Sequence, residues 1–504
     1  MFWLRIVLAL LIPGLGFGAL AAPEGTELDP IYQRVWYEAR TTHGRVFSCG
    51  PSTEVARVAV RLEQFREAYA ALAGTQAVAS PPIVVMAFPD VKSMRPFLPL
   101  YHGAPANLAG FFKRGTDENL IVLSLSGGSE RPLDVIFHEY AHLLLRRNDR
   151  IWPLWLKEGM ADVYSTFTAT GRQMQIGAPI EGHLKELADK PLLPLAELFA
   201  VKSDSADYNE AEHQGVFYAE AWLLTHYLYC GDVPVRKERF GQFMLLLQQG
   251  VRPETAFTRA FQTTLPAMEA ELRGYLARGR FGNYTVLVGP NLSAPRPLRT
   301  RPLGRGETSY WLGNILARIG RPDGAEPYFL QSRKLAPQSP LGREGLGFLA
   351  VTRHQDTEAA DFFKDALQHG STNFLAHYWY AKVRYEGTSD GHDRYTTVSQ
   401  ETAAEIRGGL QKAIALMPEF GPAHSLLGFL ELVQGDYPAA EQQLLQAIQL
   451  EPENQWHLLT LAQAQLGRKD TSAARRTLEP LMQPNSDEKL RARAEELLRG
   501  ARRP

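Results

Sequence analysis

Small residues recur every 34 positions along the C-terminal part of this 504-residue chain, and no other feature limits its fold so tightly. Gly313, Gly347 and Ala381 are 34 apart, as are Gly428 and Ala462. The step from Ala381 to Gly428 is 47, one period plus a 13-residue insertion, and the polar stretch Gly387 to Thr402 is its natural place. A second set keeps the phase at Ala325, Ala359, Ala440 and Ala474, followed four residues on by Phe329, Phe363, Leu444 and Leu478. Pro337, Pro418 and Pro452 close three of the units. Such a period predicts two helices per unit, with small residues where they cross and bulky ones in the gaps between. Five units fit residues 306–486, and 487–504 reads as an amphipathic capping helix (Asp487 to Arg499) and tail. A helical bundle in accidental phase is the competing reading.

The remainder is ordinary globular sequence, 45% hydrophobic and 22% charged, with 54 Lys and Arg against 55 Asp and Glu. No basic excess points to nucleic acid or anionic lipid as a partner. The first residues carry one positive charge, then an apolar run from Ile6 to Leu20 interrupted by Pro13-Gly14. Ala19-Leu20-Ala21 follows with small residues where a signal peptidase cuts. Residues 1–21 therefore read as a signal peptide cleaved after Ala21, which places the mature protein in an exported, periplasmic location. A retained anchor is the alternative, but the run is short of the ~20 residues needed to span a bilayer. The two cysteines, Cys49 and Cys230, stand 181 positions apart. They form no framework and read equally as a pair or as two buried thiols.

Between the leader and the repeats the pattern is mixed. A first strand is expected around Arg45 to Ser48, and a helix through Val58, Leu62, Phe65 and Tyr69. Further strands are expected at Ile83 to Phe88, Leu108 to Arg114 and Leu120 to Leu125. The strand at 108–114 is a candidate edge strand along which an extended peptide could pair. From Val233 to Arg280 the pattern is helical, and Phe281 to Gly289 is strand-like. The Pro- and Arg-rich stretch 290–305 reads as a linker. The first domain is thus assigned to 22–289.

This first domain carries His138-Glu139-Tyr140-Ala141-His142, an HExxH pattern within an apolar, helix-compatible run. Four residues apart on a helix, His138 and His142 share a face and can present two imidazoles to one metal ion. Glu139 lies one step round, suited to deprotonating a water there. A helix that merely carries two histidines is the plainer alternative. A third ligand is offered by Trp155-Leu156-Lys157-Glu158-Gly159-Met160-Ala161-Asp162, whose Glu158 lies 16 residues after His142. A second helix beginning near Glu158 and packed across the first would bring its carboxylate to the metal. Asp162, one turn on, can accept the free ring N–H of a ligand histidine and fix its tautomer. Gly159 removes side-chain bulk beside Glu158, which suits close helix contact. A solvated acid at a helix N-terminus is the alternative for Glu158.

HEYAH followed by WLKEGMADVYS resembles the gluzincin metallopeptidases, in particular the peptidase-MA-like group often joined to tetratricopeptide repeats. The likeness runs over roughly residues 30–285, and the repeats behind it fit the same group. It implies an α+β, zincin-like catalytic domain, a small mixed sheet plus active-site helices, followed by an all-α tetratricopeptide-repeat solenoid. It implies one zinc per chain on His138, His142 and Glu158, with Glu139 as general base and Asp162 as the acid behind the ligands. The spacing from His142 to Glu158 is short for the wider clan. For the donor that stabilises the developing oxyanion, Tyr218 matches best, with Tyr208 and His213 as rivals and a core tyrosine as the bland alternative.

The expected function is an exported zinc peptidase acting on a peptide or protein substrate, with the concave face of the repeats taking up substrate or a protein partner. The alternative is a scaffold that keeps the peptidase fold with little or no turnover and acts through its repeats. Retention of Glu139, which is not a ligand, favours the enzyme. His457, Trp456, Tyr378 and Trp379 are possible groove residues, although aromatics at such positions commonly pack. Neither a nucleic acid nor a membrane span in the mature chain is expected.

Overall fold

The computed structural model describes residues 28–73, 81–101, 103–106, 108, 110–126, 132–145, 152–170, 173–202, 211–231, 234–287, 298–388, 398–483 and 486–500. The expected leader, 1–21, lies outside them, as does most of the expected insertion at 387–402. The described chain divides into two compact units at Leu303–Gly304. Among the described residues no helix is long and apolar enough to cross a membrane.

The first unit is α+β. The strands of its two larger sheets are β1 (Tyr37–Arg40), β2 (Gly44–Ser48), β3 (Ile83–Phe88), β4 (Gly110–Lys113), β5 (Asn119–Ser124), β6 (Thr168–Thr170), β7 (Gln173–Ile176), β8 (Tyr284–Leu287) and β9 (Thr300–Pro302). A six-stranded mixed sheet runs in the order β9-β1-β2-β3-β5-β4, and a small antiparallel sheet in the order β8-β7-β6. In the larger sheet β2, β3 and β5 are parallel, while β1, β4 and β9 pair antiparallel to their neighbours. Every residue of β3 and β5 is buried. That is why both read as short continuous apolar runs rather than alternating ones. β4 forms one edge of the sheet, with Phe112 opposite Ile121 of β5.

Helix α1 (Ser52–Ala73) makes the crossover from β2 to β3 and lays Val55, Val58, Leu62 and Phe65 into the main core. Behind it come α2 (Pro132–Leu145), α3 (Leu154–Ser165), α4 (Glu181–Asp189), α5 (Leu195–Ala200), α6 (Ala211–Tyr229), α7 (Pro234–Gln248), α8 (Pro253–Phe261) and α9 (Leu265–Arg278). Phe65 stacks on Phe137 of α2 at 4.8 Å and meets the edge of Phe167. The Tyr69 hydroxyl donates to the Leu144 carbonyl, one of the last-turn groups that the helix itself leaves unpaired. These contacts fix α2 against α1.

One boundary differs from the sequence reading. The stretch 290–305 reads as a linker, yet Thr300–Pro302 returns as edge strand β9, with Glu38 opposite Arg301. The Arg301 guanidinium pairs with Glu38, whose buried carboxylate also takes Arg40. The Leu303 N–H donates to the Trp36 carbonyl at 2.8 Å. A three-residue edge strand needs no apolar alternation and tolerates proline, so composition alone conceals it.

The second unit is all helix. Five pairs follow one another: α10 (Arg305–Arg318) with α11 (Pro322–Leu335), α12 (Leu341–Thr352) with α13 (Asp356–Gln368), α14 (Phe374–Glu386) with α15 (Gln400–Leu416), α16 (Gly421–Gln434) with α17 (Tyr437–Leu450), and α18 (Trp456–Gly467) with α19 (Thr471–Leu478). Helix α20 (Glu488–Gly500) closes the array, with Leu490 and Ala494 on Leu459, Ala462 and Leu478. The small residues have a direct steric reason. A Cβ on Gly313 would stand 2.9 Å from the Phe329 ring, on Gly347 2.7 Å from Phe363, and on Gly428 2.7 Å from Leu444. The in-phase pairs of the sequence are therefore the helix crossings themselves.

Candidate metal centre

Pro132 begins α2, where its missing N–H costs nothing, and Ile136, Phe137 and Tyr140 turn one face into the core. His138 and His142 lie one turn apart on another face, their rings edge to face at 4.8 Å. Helix α3 starts at Leu154, just after Pro153, so Glu158 stands in its second turn rather than at its beginning. Ten of the twelve residues of α3 are buried, which makes it a central helix packed between α2 and α6. The Gly159 contact is with α6. A Cβ there would meet the Thr225 hydroxyl at 2.1 Å and the Ala221 carbonyl oxygen at 2.3 Å.

His138, His142 and Glu158 converge. His138 Nε2 and His142 Nε2 are 3.1 Å apart, and Glu158 Oε2 lies 3.3 Å from His142 Nε2 and 3.5 Å from His138 Nε2. Ligands about 2.0–2.2 Å from a tetrahedral zinc are separated by about 3.3–3.5 Å, so the triangle has the right size as well as the right donors. It is the one metal-competent cluster of His, Cys, Asp and Glu among the described residues. Glu158 and His138 are buried, while a quarter of the His142 side chain is exposed.

The surroundings tune these groups. His138 Nδ1 lies 2.9 Å from Asp162 Oδ1, and a donor Nδ1–H there leaves the Nε2 lone pair facing the triangle. Burial opposes charge on His138, but its bonds to Asp162 and Glu158 outweigh this and raise its pKa. Burial also works against the Glu158 carboxylate, yet the two histidines hold its pKa down to about 2. Asp162 is pulled below the usual carboxylate range against its burial, by His183 first and then His138. Glu139 moves the other way. Burial raises its pKa despite the neighbouring histidines.

The expected Tyr218 lies buried on α6, one turn before Ala221, with its ring against Phe217. Its rival Tyr208 lies outside the described residues, and of the His213 side chain nothing is described. His183 is the residue that sequence reasoning missed. It comes from α4, 21 positions after Asp162, and its Nε2 lies 2.8 Å from Asp162 Oδ2. No motif spacing marks it, and only the fold brings it there. Cys49 and Cys230 are both free thiols. In the repeats, His457 is buried against Glu451 and Tyr378 packs on Phe420, whereas Trp456 is exposed.

A family model described as a tetratricopeptide repeat matches residues 432–498 and does not extend to the His138–Asp162 region. No curated protein matches the chain. Solved structures that are similar include the tetratricopeptide-repeat protein YrrB, titled as having an unusual peptide-binding site, at 17% identity over 38% of this chain and 91% of that one, TM-score 0.33. MamA from Desulfovibrio magneticus RS-1 is 16% identical over 35% and 93%, TM-score 0.29. PilW, a type IV pilus biogenesis factor, is 14% identical over 52% and 98%, TM-score 0.29. From the family match and the helix pairs together, the C-terminal unit carries tetratricopeptide repeats.

Proposed function

We propose that the chain is a repeat-based interaction protein whose first unit is a zinc-dependent peptidase of the gluzincin type. The observation that carries the catalytic half is the triangle of His138, His142 and Glu158, two of its three corners buried, with Glu139 buried beside it. The apolar leader supports an exported location.

The residues divide the work as follows. His138, His142 and Glu158 would hold the ion. A zinc ion held there would supply Lewis acidity, acidifying water and polarising a carbonyl oxygen. Glu139 takes a proton from the attacking water as its oxygen bonds to the scissile carbon. It returns that proton to the amine nitrogen as the C–N bond breaks. Asp162 keeps His138 in the tautomer that presents Nε2 to the centre.

A second reading is a scaffold in which the first unit has lost turnover and the repeats alone act, by binding a protein. The family match favours it, because that match lies wholly in the repeats. The two readings part at Glu139, which a scaffold does not need. Glu139→Gln should keep zinc and abolish peptide hydrolysis, and a wild-type protein that binds zinc but hydrolyses no peptide in a broad peptide library would leave the scaffold.

A further inference from the structure

We propose that His183 is a positioning residue for the metal centre, acting through Asp162: one carboxylate bridges His183 Nε2 and His138 Nδ1. The proposal rests on the zinc reading above. The two oxygens of Asp162 have separate duties, Oδ1 at 2.9 Å from His138 and Oδ2 at 2.8 Å from His183. The Asp162 side chain is only 10% exposed, so an oxygen without a donor there would lose its hydration with nothing in return. A single bond to His138 would also leave the carboxylate plane free to turn about its own axis. A second donor on the other oxygen fixes that plane, and with it the direction in which His138 Nε2 points.

His183 is itself held. It lies in the first turn of α4, which packs on α6, and its ring faces that of Trp222 at 5.9 Å and a 42° tilt. Its side chain keeps 19% exposure, so the pair sits at the margin of the core and not within it. A neutral imidazole with its proton on Nε2 suffices for the bond. Charge on His183 is not required, and no step of catalysis passes through it.

The test is zinc affinity, measured on the full chain by competition of Zn2+ with a chromogenic chelator, with a thermal melt on each sample. Glutamine places an N–H donor near the position of His Nε2, and asparagine places it near Nδ1. His183→Gln should therefore stay within about twofold of wild type, whereas His183→Asn should bind zinc about three- to tenfold more weakly. Asp162→Ala should lose about 10–100-fold. In that background the His183→Asn change should add nothing, because its route to the metal is gone. Equal affinity for His183→Asn and His183→Gln, or an undiminished loss in the Asp162→Ala background, overturns the proposal and leaves the zinc reading standing. Wild-type protein that binds no zinc overturns both. A purely structural His183 would lower the melting temperature in both backgrounds and leave affinity unchanged, which also counts against it.

Discussion

Gly159→Ala reverses the usual rule for helices. In an isolated helix the change gains about 1 kcal/mol, because alanine loses less backbone freedom on folding than glycine. Here the new Cβ would lie 2.3 Å from the Ala221 carbonyl oxygen and 2.1 Å from the Thr225 hydroxyl. The hydroxyl can rotate away, but the carbonyl belongs to the backbone of α6 and cannot. Restoring ordinary contact requires α3 and α6 to part by roughly 1 Å, in a core that is already closely packed. Overpacking of this kind costs about 1–3 kcal/mol, and the backbone partner puts this site at the upper end. The net expectation is a loss of about 2 kcal/mol. Because Glu158 precedes Gly159 on the displaced helix, zinc affinity should fall as well, by about tenfold. Gly241→Ala is the matched control: it lies exposed on α7 with nothing within 4 Å, and should gain about 0.5–1 kcal/mol. Urea-dependent amide hydrogen exchange, read on peptides from α3 and α7, separates this unit from the repeats. A Gly159→Ala protein as stable as wild type, or a Gly241→Ala protein destabilised to the same degree, would show that the approach of α3 to α6 does not require glycine.

Two further outcomes are expected. Glu220 is fully buried on α6, with Oε2 accepting the Leu193 N–H at 2.7 Å and Oε1 without a hydrogen-bond partner among the described residues. Burial, helped by Glu269, pushes its carboxyl up to about 8 from the ordinary 4.5, against Leu193 and Arg273. The folded state then keeps a proton that the unfolded chain releases, so stability is full below about pH 4.5 and falls as pH rises towards 8. The fall amounts to about 4–5 kcal/mol. Glu220→Gln should flatten this profile and be the more stable protein at pH 8, measured by the same exchange; an unchanged profile would assign the pH dependence elsewhere. Glu158→Ala should cut zinc occupancy severely, since two histidines alone make a poor site, and unaltered occupancy would mean that the third ligand is another residue.

The parts of the centre that the sequence makes legible are those set by helical spacing. His138 and His142 are one turn apart, as are Glu158 and Asp162, and each pair needs only a helix to share a face. The start of α3 is misread by one turn, because Pro153 sets it and Trp155 and Leu156 are buried helix residues rather than a loop. Gly159 reads correctly as a close helix contact but without its partner, since a small residue signals proximity without saying to what. His183 and β9 are invisible for a common reason: each arrives from a distant segment through tertiary contacts that leave no local pattern. The repeats are the most legible part, because their helix crossings recur at a fixed period, with Gly or Ala set against Phe or Leu.

A zinc peptidase in the first unit requires that His138, His142 and Glu158 bind an ion. The direct measurement is the metal content of purified full-length protein, by mass spectrometry of the elements, for wild type, Glu139→Gln and Glu158→Ala side by side. One zinc per chain in the first two and a marked deficit in the third is the predicted result. Wild-type protein that holds no zinc, even after incubation with the ion, would contradict it.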